Sequence, residues 1–300
     1  MSTLTKQIYR YTHPRSMRHN ENLWPYVKIQ RDKFGAISEL FYKNSQIPLQ
    51  NLSTIKESYN GRVLLTATGP SVKEIDFSSI PEIPTIGVNG AWYLHKEVVF
   101  NIYIIVDMTF IDNRPEILEQ IIANDNLTLF TTMHGIVKLI DKFSLKKIKC
   151  KLAVIEDKCY RIFEHKIPEN NVKQIFHSQT DIIFLENSNS IAFNYDIRTG
   201  IFDAGTVVYW ALQILTYLGF DKIYIAGLDM NNFSSPRFYE SPDDILPSFL
   251  DDKLHNTIIP AFQLARHALD NKNVELFNLS LDSAVPSSIF PKMDYRDAFN

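Results

Sequence analysis

The sequence predicts an α/β fold, a Rossmann-like, doubly wound and mainly parallel sheet, on three observations. Short apolar runs typical of strands buried on both faces alternate with helical stretches of about 10–15 residues. The chain has 300 residues, 45% of them apolar, which is enough to bury the core of such a sheet. Polar residues and glycines follow several apolar runs directly, at the positions where parallel sheets bind ligands.

Seven apolar runs are predicted as strands, and three stretches between them as helices. The strands are expected at residues 62–68, 85–89, 102–107, 127–131, 182–185, 222–229 and 274–279. The helices are expected at residues 113–123, 204–218 and 257–269. The second helix is apolar almost all round, which predicts burial, and Gly219 follows it at the position favoured for a helix-ending glycine.

The rest of the chain divides into two segments with weaker patterns. Residues 1–60 lack clean periodicity and are predicted to be an N-terminal extension that wraps a larger domain at residues 61–300. Residues 134–180 are rich in lysine and weakly patterned, which predicts an insertion or lid in that domain. A pair of helices is the alternative for this second segment.

Charge and cysteine content narrow the class of protein. Residues 1–33 carry seven basic and two acidic side chains, a net charge of +5, whereas the whole chain carries −3. The negative net charge of the whole chain argues against a nucleic-acid-binding protein. The basic arm suits an anionic partner such as a membrane surface, or is simply solvated. Two cysteines make neither a disulfide framework nor a zinc motif, which favours a reducing cytoplasm. Without a spanning run or an apolar signal segment, a soluble or peripheral protein is expected.

The end of the first predicted strand is a candidate phosphate site. Thr68, Gly69, Pro70 and Ser71 follow the apolar run, and Ser71 with Glu74 has the spacing of a capping box. A helix is therefore predicted to begin at Ser71 and to offer free N–H groups to a phosphate. An ordinary tight turn between strand and helix is the alternative.

Polar residues at other strand ends and at the start of the buried helix extend this candidate site. Asn89, Asp107 and Asp229 each end a predicted strand, and together they predict a nucleotide cleft, although each alone is typical of a turn or helix cap. The segment Asp203-Ala204-Gly205-Thr206 opens the buried helix. Asp203 is predicted as its N-cap, and Gly205 and Thr206 as groups that face an anion.

Two further candidates lie towards the C-terminus. Arg237 stands beside Phe238 and Tyr239, a combination suited to capture of a carboxylate or phosphate with stacking on a base or sugar; pairing with Glu240 is the alternative. His255 precedes the last helix and is a candidate general base. Hydrolase triad, zinc and DxD motifs are absent, so no metal or other cofactor is predicted.

The ordered motifs resemble those of the WaaZ-type Kdo transferases of lipopolysaccharide core biosynthesis. The resemblance covers about residues 62–292, and Arg237-Phe238-Tyr239 and the stretch 278–284 are its most specific parts. The other residues that carry it are Gly69-Pro70, Gly87-Val88-Asn89-Gly90, Ile102–Asp107 with Phe110, Ala211-Leu212-Gln213-Ile214, Gly227-Leu228-Asp229, Leu246-Pro247-Ser248 and Ile259-Pro260-Ala261-Phe262.

More distantly, the chain is similar to bacterial sialyltransferases of the Campylobacter type. The shared features are the segment from Gly69 to Asp76, Asn89, the segment from Leu218 to Tyr224, Gly227-Leu228-Asp229 and a histidine before the last helix. Both families use a CMP-activated 2-keto-3-deoxy acid sugar, so the resemblance implies a CMP-sugar cleft.

Carried over by position, the resemblance assigns roles to individual residues. It implies that Thr68 to Ser71, with Asn89, hold the phosphate side of CMP. Asp107 stands where the sialyltransferases have a donor-contacting asparagine, and Ala204-Gly205 where they have a Ser-Gly pair. His255 matches their catalytic histidine, with Asp107 or Asp229 as the alternative base.

The function expected from this resemblance is transfer of Kdo from CMP-Kdo to an inner-core sugar of lipopolysaccharide or lipooligosaccharide. Inversion at the anomeric carbon and independence of metals are implied; a carboxylate nucleophile such as Asp203 would instead give retention. A peripheral location on the inner membrane of a Gram-negative bacterium follows from the acceptor. The alternatives are a sialyltransferase that uses CMP-Neu5Ac and a non-catalytic nucleotide-binding protein of envelope assembly.

Overall fold

A seven-stranded parallel sheet forms the centre of the structure, a computed structural model that describes residues 3–231, 233–246 and 250–299. Its strands are β4 (Arg62–Thr66), β5 (Thr85–Val88), β6 (Ile102–Ile105), β7 (Thr128–Thr131), β8 (Lys151–Val154), β11 (Lys222–Ala226) and β12 (Glu275–Asn278). Every residue of β5 and β6 is buried, as continuous apolar runs in a parallel sheet require. The predicted α/β class with a parallel sheet is confirmed.

Shorter strands lie outside this sheet. The segments β1 (Val27–Arg31), β2 (Ile37–Tyr42) and β3 (Ser45–Ile47) form an antiparallel three-stranded sheet, while β9 (Ile182–Phe184) pairs antiparallel with β10 (Ala192–Asn194). The α-helices are α1 (Thr3–Thr12), α2 (Leu52–Ile55), α3 (Met108–Asn113), α4 (Pro115–Ala123), α5 (Met133–Phe143), α6 (Val172–Phe176), α7 (Val207–Leu218), α8 (Ile259–Asp270) and α9 (Tyr295–Phe299).

Helices cover both faces of the central sheet, and each face has its own apolar core. Within β6, Ile102 and Ile104 point into the core that contains α7 and α8, whereas Tyr103 and Ile105 point into the core that contains α4 and α5. The alternation of side chains along a strand supplies both cores from the same apolar run. This is the doubly wound arrangement that the sequence predicts.

The strand order places a switch point between β4 and β11. The sheet runs β12-β11-β4-β5-β6-β7-β8, so the chain moves outward from β4 to β8, returns through α7 and continues on the other side through β11 and β12. The connections after β4 and β11 therefore leave in opposite directions and open a crevice at the carboxyl ends of these strands.

Residues 134–180 are predicted to be an insertion or lid, and this prediction is wrong for the part up to Val154. That part belongs to the main fold. The helix α5 packs against α3, and β8 forms the edge of the parallel sheet beside β7. Another correction concerns the run at 182–185, which lies in the antiparallel pair β9–β10. The lysines misled the prediction because α5 and the edge strand expose side chains such as Lys151 to water.

The N-terminal segment packs against the second face of the parallel sheet. Leu40 of β2 is fully buried in the core that contains α4 and α5. Arg31 donates to both carboxylate oxygens of Glu156 at 2.5 and 2.8 Å, and the Gln50 N–H donates to the Leu152 carbonyl at 2.7 Å. The extension therefore contributes to the core.

Candidate active site

A cleft of about 390 Å³ lies at the carboxyl ends of β4, β5, β6 and β11. It contains the switch point of the sheet, where open α/β folds bind their ligands. The residues at its wall come from the segments 67–70, 88–89, 106–107, 203–208 and 227–231, and from the region 233–253. The volume falls in the range of small-molecule sites.

A buried hydrogen-bond network joins the loops that follow β4 and β11. Asp229, 6% exposed, accepts from the Ser71 N–H at 2.9 Å and from the Ser71 hydroxyl. The same hydroxyl lies 2.7 Å from the Ser280 hydroxyl. Gly69 must lack a side chain because a Cβ there would overlap the Asp229 carboxylate and lie 2.7 Å from the Gly227 carbonyl. Asp229 thus stabilises the cleft wall, and both of its oxygens are engaged.

This network corrects the prediction of a capped helix beginning at Ser71. The segment Pro70–Glu74 is a single 3-10 turn with Gly69 as its N-cap residue. The Ser71 hydroxyl and N–H bind Asp229, and Ser71 does not line the cleft. Thr68, Gly69 and Pro70 do line it, in agreement with their predicted place at the site.

The segment 278–284, one of the most specific parts of the resemblance, supports the same wall from behind. Asn278 and Ser283 are buried, and their side chains donate to the Leu228 carbonyl at 3.1 and 2.6 Å. The Ala284 N–H donates to the Asp229 carbonyl at 2.7 Å. The stretch fixes the loop after β11 without lining the cleft.

Asn89 and Tyr239 lie near the end of β5, but only Asn89 lines the cleft. Asn89 has a φ of +45°, and its buried side-chain oxygen has no hydrogen-bond partner among the described residues. Tyr239 packs on Gly90, where a Cβ would overlap its ring, and stacks on Tyr93 at 4.9 Å between centroids. Tyr239 therefore supports the loop that follows β11.

Asp107 lines the cleft at the end of β6 and is exposed. Its Oδ1 accepts from the Thr109 N–H at 2.8 Å and caps α3. Its Oδ2 has no hydrogen-bond partner within the described part of the chain, so one carboxylate oxygen is available to a ligand. The cap explains why an aspartate ends this strand, and the free Oδ2 can bind a ligand or accept a proton.

The start of α7 differs from its prediction, because Thr206 and not Asp203 is the N-cap. The Thr206 hydroxyl accepts from the Val208 N–H at 3.3 Å, whereas Asp203 Oδ1 accepts from the Trp210 indole N–H at 2.7 Å. Gly205 has a φ of +78°, and this left-handed turn separates Asp203 from the first helical turn. Asp203, Gly205 and Thr206 line the cleft, whereas Ala204 is buried and does not.

Arg237 lines the cleft but is tied to Glu240, the alternative that the sequence analysis left open. Its Nη1 donates to Glu240 Oε1 at 2.6 Å and to the Leu246 carbonyl at 3.1 Å, and the Glu240 side chain is fully buried. Its Nη2 makes no hydrogen bond to the residues the structure describes. One edge of the guanidinium is thus held in place while the other remains open to a ligand.

Lys253 is a cleft residue that the sequence analysis missed. It ends the 3-10 turn Asp251–Lys253, and its aliphatic chain packs on Gly205, at the entrance to α7. Lys253 forms no ion pair within the described ranges. Its approach to Gly205 joins distant parts of the chain, and the adjacent pair Asp251-Asp252 gave no signal of it.

His255, the predicted general base, does not line the cleft. It lies on the π-helical turn Leu254–Ile258 that leads into α8, and its side chain is exposed. Pro247 and Ser248, two residues of the resemblance, lie outside the described residues. The geometry therefore brings together most of the predicted donor-binding residues but not the histidine.

A titratable carboxyl lies behind the cleft at the end of β8. Burial raises the pKa of Asp157 to about 7, the nearby charge of Asp203 adds to the rise, and the Cys159 N–H opposes it. Asp157 does not line the cleft. Among the described residues, no three His, Cys, Asp or Glu side chains form a metal-binding group, and no helix has the length and apolar character to cross a bilayer.

Comparison with known proteins identifies the family. The family model described as 3-deoxy-D-manno-octulosonic acid transferase WaaZ matches residues 44–296. Searches of curated proteins and of solved structures find no match. The matched range covers the whole parallel sheet and every described wall of the cleft. The chain therefore belongs to the WaaZ family of Kdo transferases, glycosyltransferases of the lipopolysaccharide core.

Proposed function

We propose that the cleft binds CMP-Kdo and transfers its Kdo to an inner-core sugar of lipopolysaccharide or lipooligosaccharide. The observation that carries this proposal is the position of the cleft. It lies at the switch point of the sheet, and two cationic side chains, Arg237 and Lys253, line it. A CMP-activated acid sugar carries two anionic groups, a phosphate and a carboxylate, and needs this kind of partner.

The phosphate is assigned to the start of α7. Gly205 and Thr206 stand before a helix of 12 residues, whose N-terminal end carries a partial positive charge. Lys253 packs against Gly205 and adds a full charge beside it. These groups stabilise the negative charge that grows on the phosphate as the bond to the sugar breaks.

The sugar carboxylate is assigned to Arg237. Because Glu240 and the Leu246 carbonyl hold Nη1, the free Nη2 has a fixed direction. A guanidinium held in this way orients a carboxylate with less loss of conformational entropy than a free side chain. Arg237 therefore positions the acid group beside the reacting anomeric carbon.

The reaction requires one base. The bond between the anomeric carbon and the phosphate oxygen breaks, and its electron pair leaves with CMP. The acceptor hydroxyl oxygen forms the new bond to the anomeric carbon, and its proton passes to Asp107 Oδ2. Asp107 is preferred to Asp229, whose oxygens both bind Ser71, and to His255, which does not line the cleft.

Direct attack by the acceptor gives inversion, and we assign this stereochemistry to the enzyme. Asp203, whose Oδ1 accepts from the Trp210 indole N–H, also lines the cleft and is the alternative: as a nucleophile it would give retention. Lys253 and α7 supply the positive charge for the leaving phosphate, so the proposed reaction includes no metal ion.

Donor turnover tests the proposal directly. Purified protein is incubated with extracted core acceptor and either CMP-Kdo or CMP-Neu5Ac, with and without EDTA, and CMP release and product mass are followed. We expect release and a Kdo-bearing product only with CMP-Kdo, and no effect of EDTA. Turnover of CMP-Neu5Ac alone, or binding of CMP without turnover of either donor, would contradict the proposal.

A further inference from the structure

An exposed apolar stripe runs along α1. Leu4, Ile8 and Tyr11 are 65%, 41% and 91% exposed. Their spacing of four and three residues places them on one side of the helix. Large apolar side chains exposed in a row on one helix face indicate an interaction surface.

The direction of this stripe is fixed by the opposite side of α1. Tyr9 is fully buried and stacks on His13, with ring centroids 3.9 Å apart. Arg10 donates from Nε and Nη2 to the two carboxylate oxygens of Glu21, each at 2.6 Å. The helix is therefore anchored through one face, and the apolar stripe points away from the body of the protein.

Basic side chains border the stripe. Arg15 and Arg18 are exposed on the 3-10 turn Arg15–Asn20 that follows α1. The Lys166 N–H donates to the Ser16 carbonyl at 2.7 Å, which places a further exposed lysine beside this turn. We call the set Leu4, Ile8, Tyr11, Arg15, Arg18 and Lys166 the docking surface.

The docking surface lies near the carboxyl ends of the strands of the parallel sheet, as the cleft does. His19, at the end of the basic turn, lies 3.0 Å from the Arg161 carbonyl through Nε2, and its own carbonyl lies 3.1 Å from His134 Nε2. His134 is in the first turn after β7, and Arg161 follows β8. Both contacts are therefore made at the carboxyl ends of strands, where the cleft opens.

We propose that this surface docks onto an anionic lipid bilayer, with the apolar stripe at the level of the acyl chains and the arginines on the headgroup phosphates. Apolar and basic side chains presented together on one surface are the combination that binds such bilayers. The proposal rests on the proposed function, since a lipid-anchored acceptor then meets the cleft at the edge facing the membrane. The stripe and both arginines precede residue 44, where the family match begins.

Vesicle sedimentation of the full chain tests this proposal without donor or acceptor. Wild type is expected to sediment with vesicles of phosphatidylcholine and phosphatidylglycerol, to bind less at high salt, and to remain in solution with phosphatidylcholine alone. The double change Arg15→Gln/Arg18→Gln should weaken binding about 30-fold. The change Ile8→Ser/Tyr11→Ser should weaken it at least about tenfold.

Matched control variants lie elsewhere on the surface. Lys96→Gln/Lys272→Gln removes two exposed charges from the connections that lead into the amino ends of β6 and β12. Val99→Ser/Ile175→Ser removes apolar side chains that are 78% and 46% exposed. Both controls should bind vesicles as wild type does. Equal loss in variants and controls, or no vesicle binding by wild type, would overturn the proposal. Transfer to a soluble core oligosaccharide, measured in parallel, reports on the proposed function independently, since every variant should retain it.

Discussion

The wall of the cleft formed by the ends of β4 and β11 differs from the rest of its lining in how its charged groups are used. On the first side, Asp229 is buried and binds Ser71 twice. On the other, Asp107 and Lys253 are exposed, and each has a free polar group within the described structure. Two aspartates that look equivalent in sequence, each at the end of a buried strand, therefore have different surroundings, and we propose a chemical task only for Asp107.

The largest expected effect tests Asp107 as the proposed base. Asp107→Asn should lower kcat by about 10²–10⁴, because the variant cannot accept a proton from the acceptor. Thermal unfolding should be unchanged, because asparagine also caps a helix. Initial rates at saturating donor and acceptor measure the effect. His255→Ala is the matched comparison and should retain wild-type kcat; the reverse pattern would restore the histidine as base.

The second effect tests the structural side. Asp229→Ala removes the buried acceptor of the Ser71 N–H and hydroxyl, both half-buried, and leaves the hydroxyl only Ser280, at a cost of about 1–3 kcal/mol in the free energy of unfolding. Urea unfolding followed by circular dichroism measures it. Asp243→Ala, on the exposed loop, should change stability by less than about 0.5 kcal/mol. Full stability of Asp229→Ala combined with loss of turnover would make Asp229 catalytic and remove the contrast between the two sides.

Donor binding should separate the two sides further. Lys253→Gln should raise KM for the donor about 10- to 100-fold, the value of a charge-assisted hydrogen bond to phosphate, and leave stability unchanged. Calorimetric titration with CMP provides a second readout. The control is Lys272→Gln, which changes a lysine in the connection between α8 and β12. Unchanged affinity for CMP would show that Lys253 does not hold the phosphate.

The smallest effect concerns the support of the loop after β11. Tyr93→Ala removes the ring that stacks on Tyr239 and should raise KM for the donor about threefold to tenfold, with kcat nearly constant. Tyr93→Phe retains the stack and should behave as wild type. A fall in kcat without a change in KM would show that the stack acts on the chemistry and not on the loop.

Local patterns in the sequence predicted six of the seven strands of the parallel sheet, because each is a short apolar run followed by turn-forming residues. The missed strand, β8, is no shorter than β5 or β6, but lysines crowd the residues before it and Lys151 begins it, so its apolar run does not stand out. The run at 182–185 is apolar as well, but a two-stranded antiparallel pair leaves the same local signature as a strand of the sheet.

The site was predictable in its place and less so in the task of each residue. The rule for carboxyl ends of parallel strands located Gly69, Asn89, Asp107 and Asp229. The contact of Ser71 with Asp229 and that of Gly205 with Lys253 join distant parts of the chain, and no local pattern reports them. A capping box and a tertiary hydrogen bond require the same serine, and the tertiary bond prevailed.

The antiparallel sheet near the N-terminus has a practical consequence for handling this protein. Leu23, Leu40 and Tyr42 are buried against the parallel sheet, yet they precede the range that the family match covers. A chain trimmed to that range would expose the apolar surface of α4 and α5 to water, and we expect such a chain to precipitate during purification. Preparations intended for crystallisation or assays must therefore retain the first sheet, however dispensable family boundaries make it look.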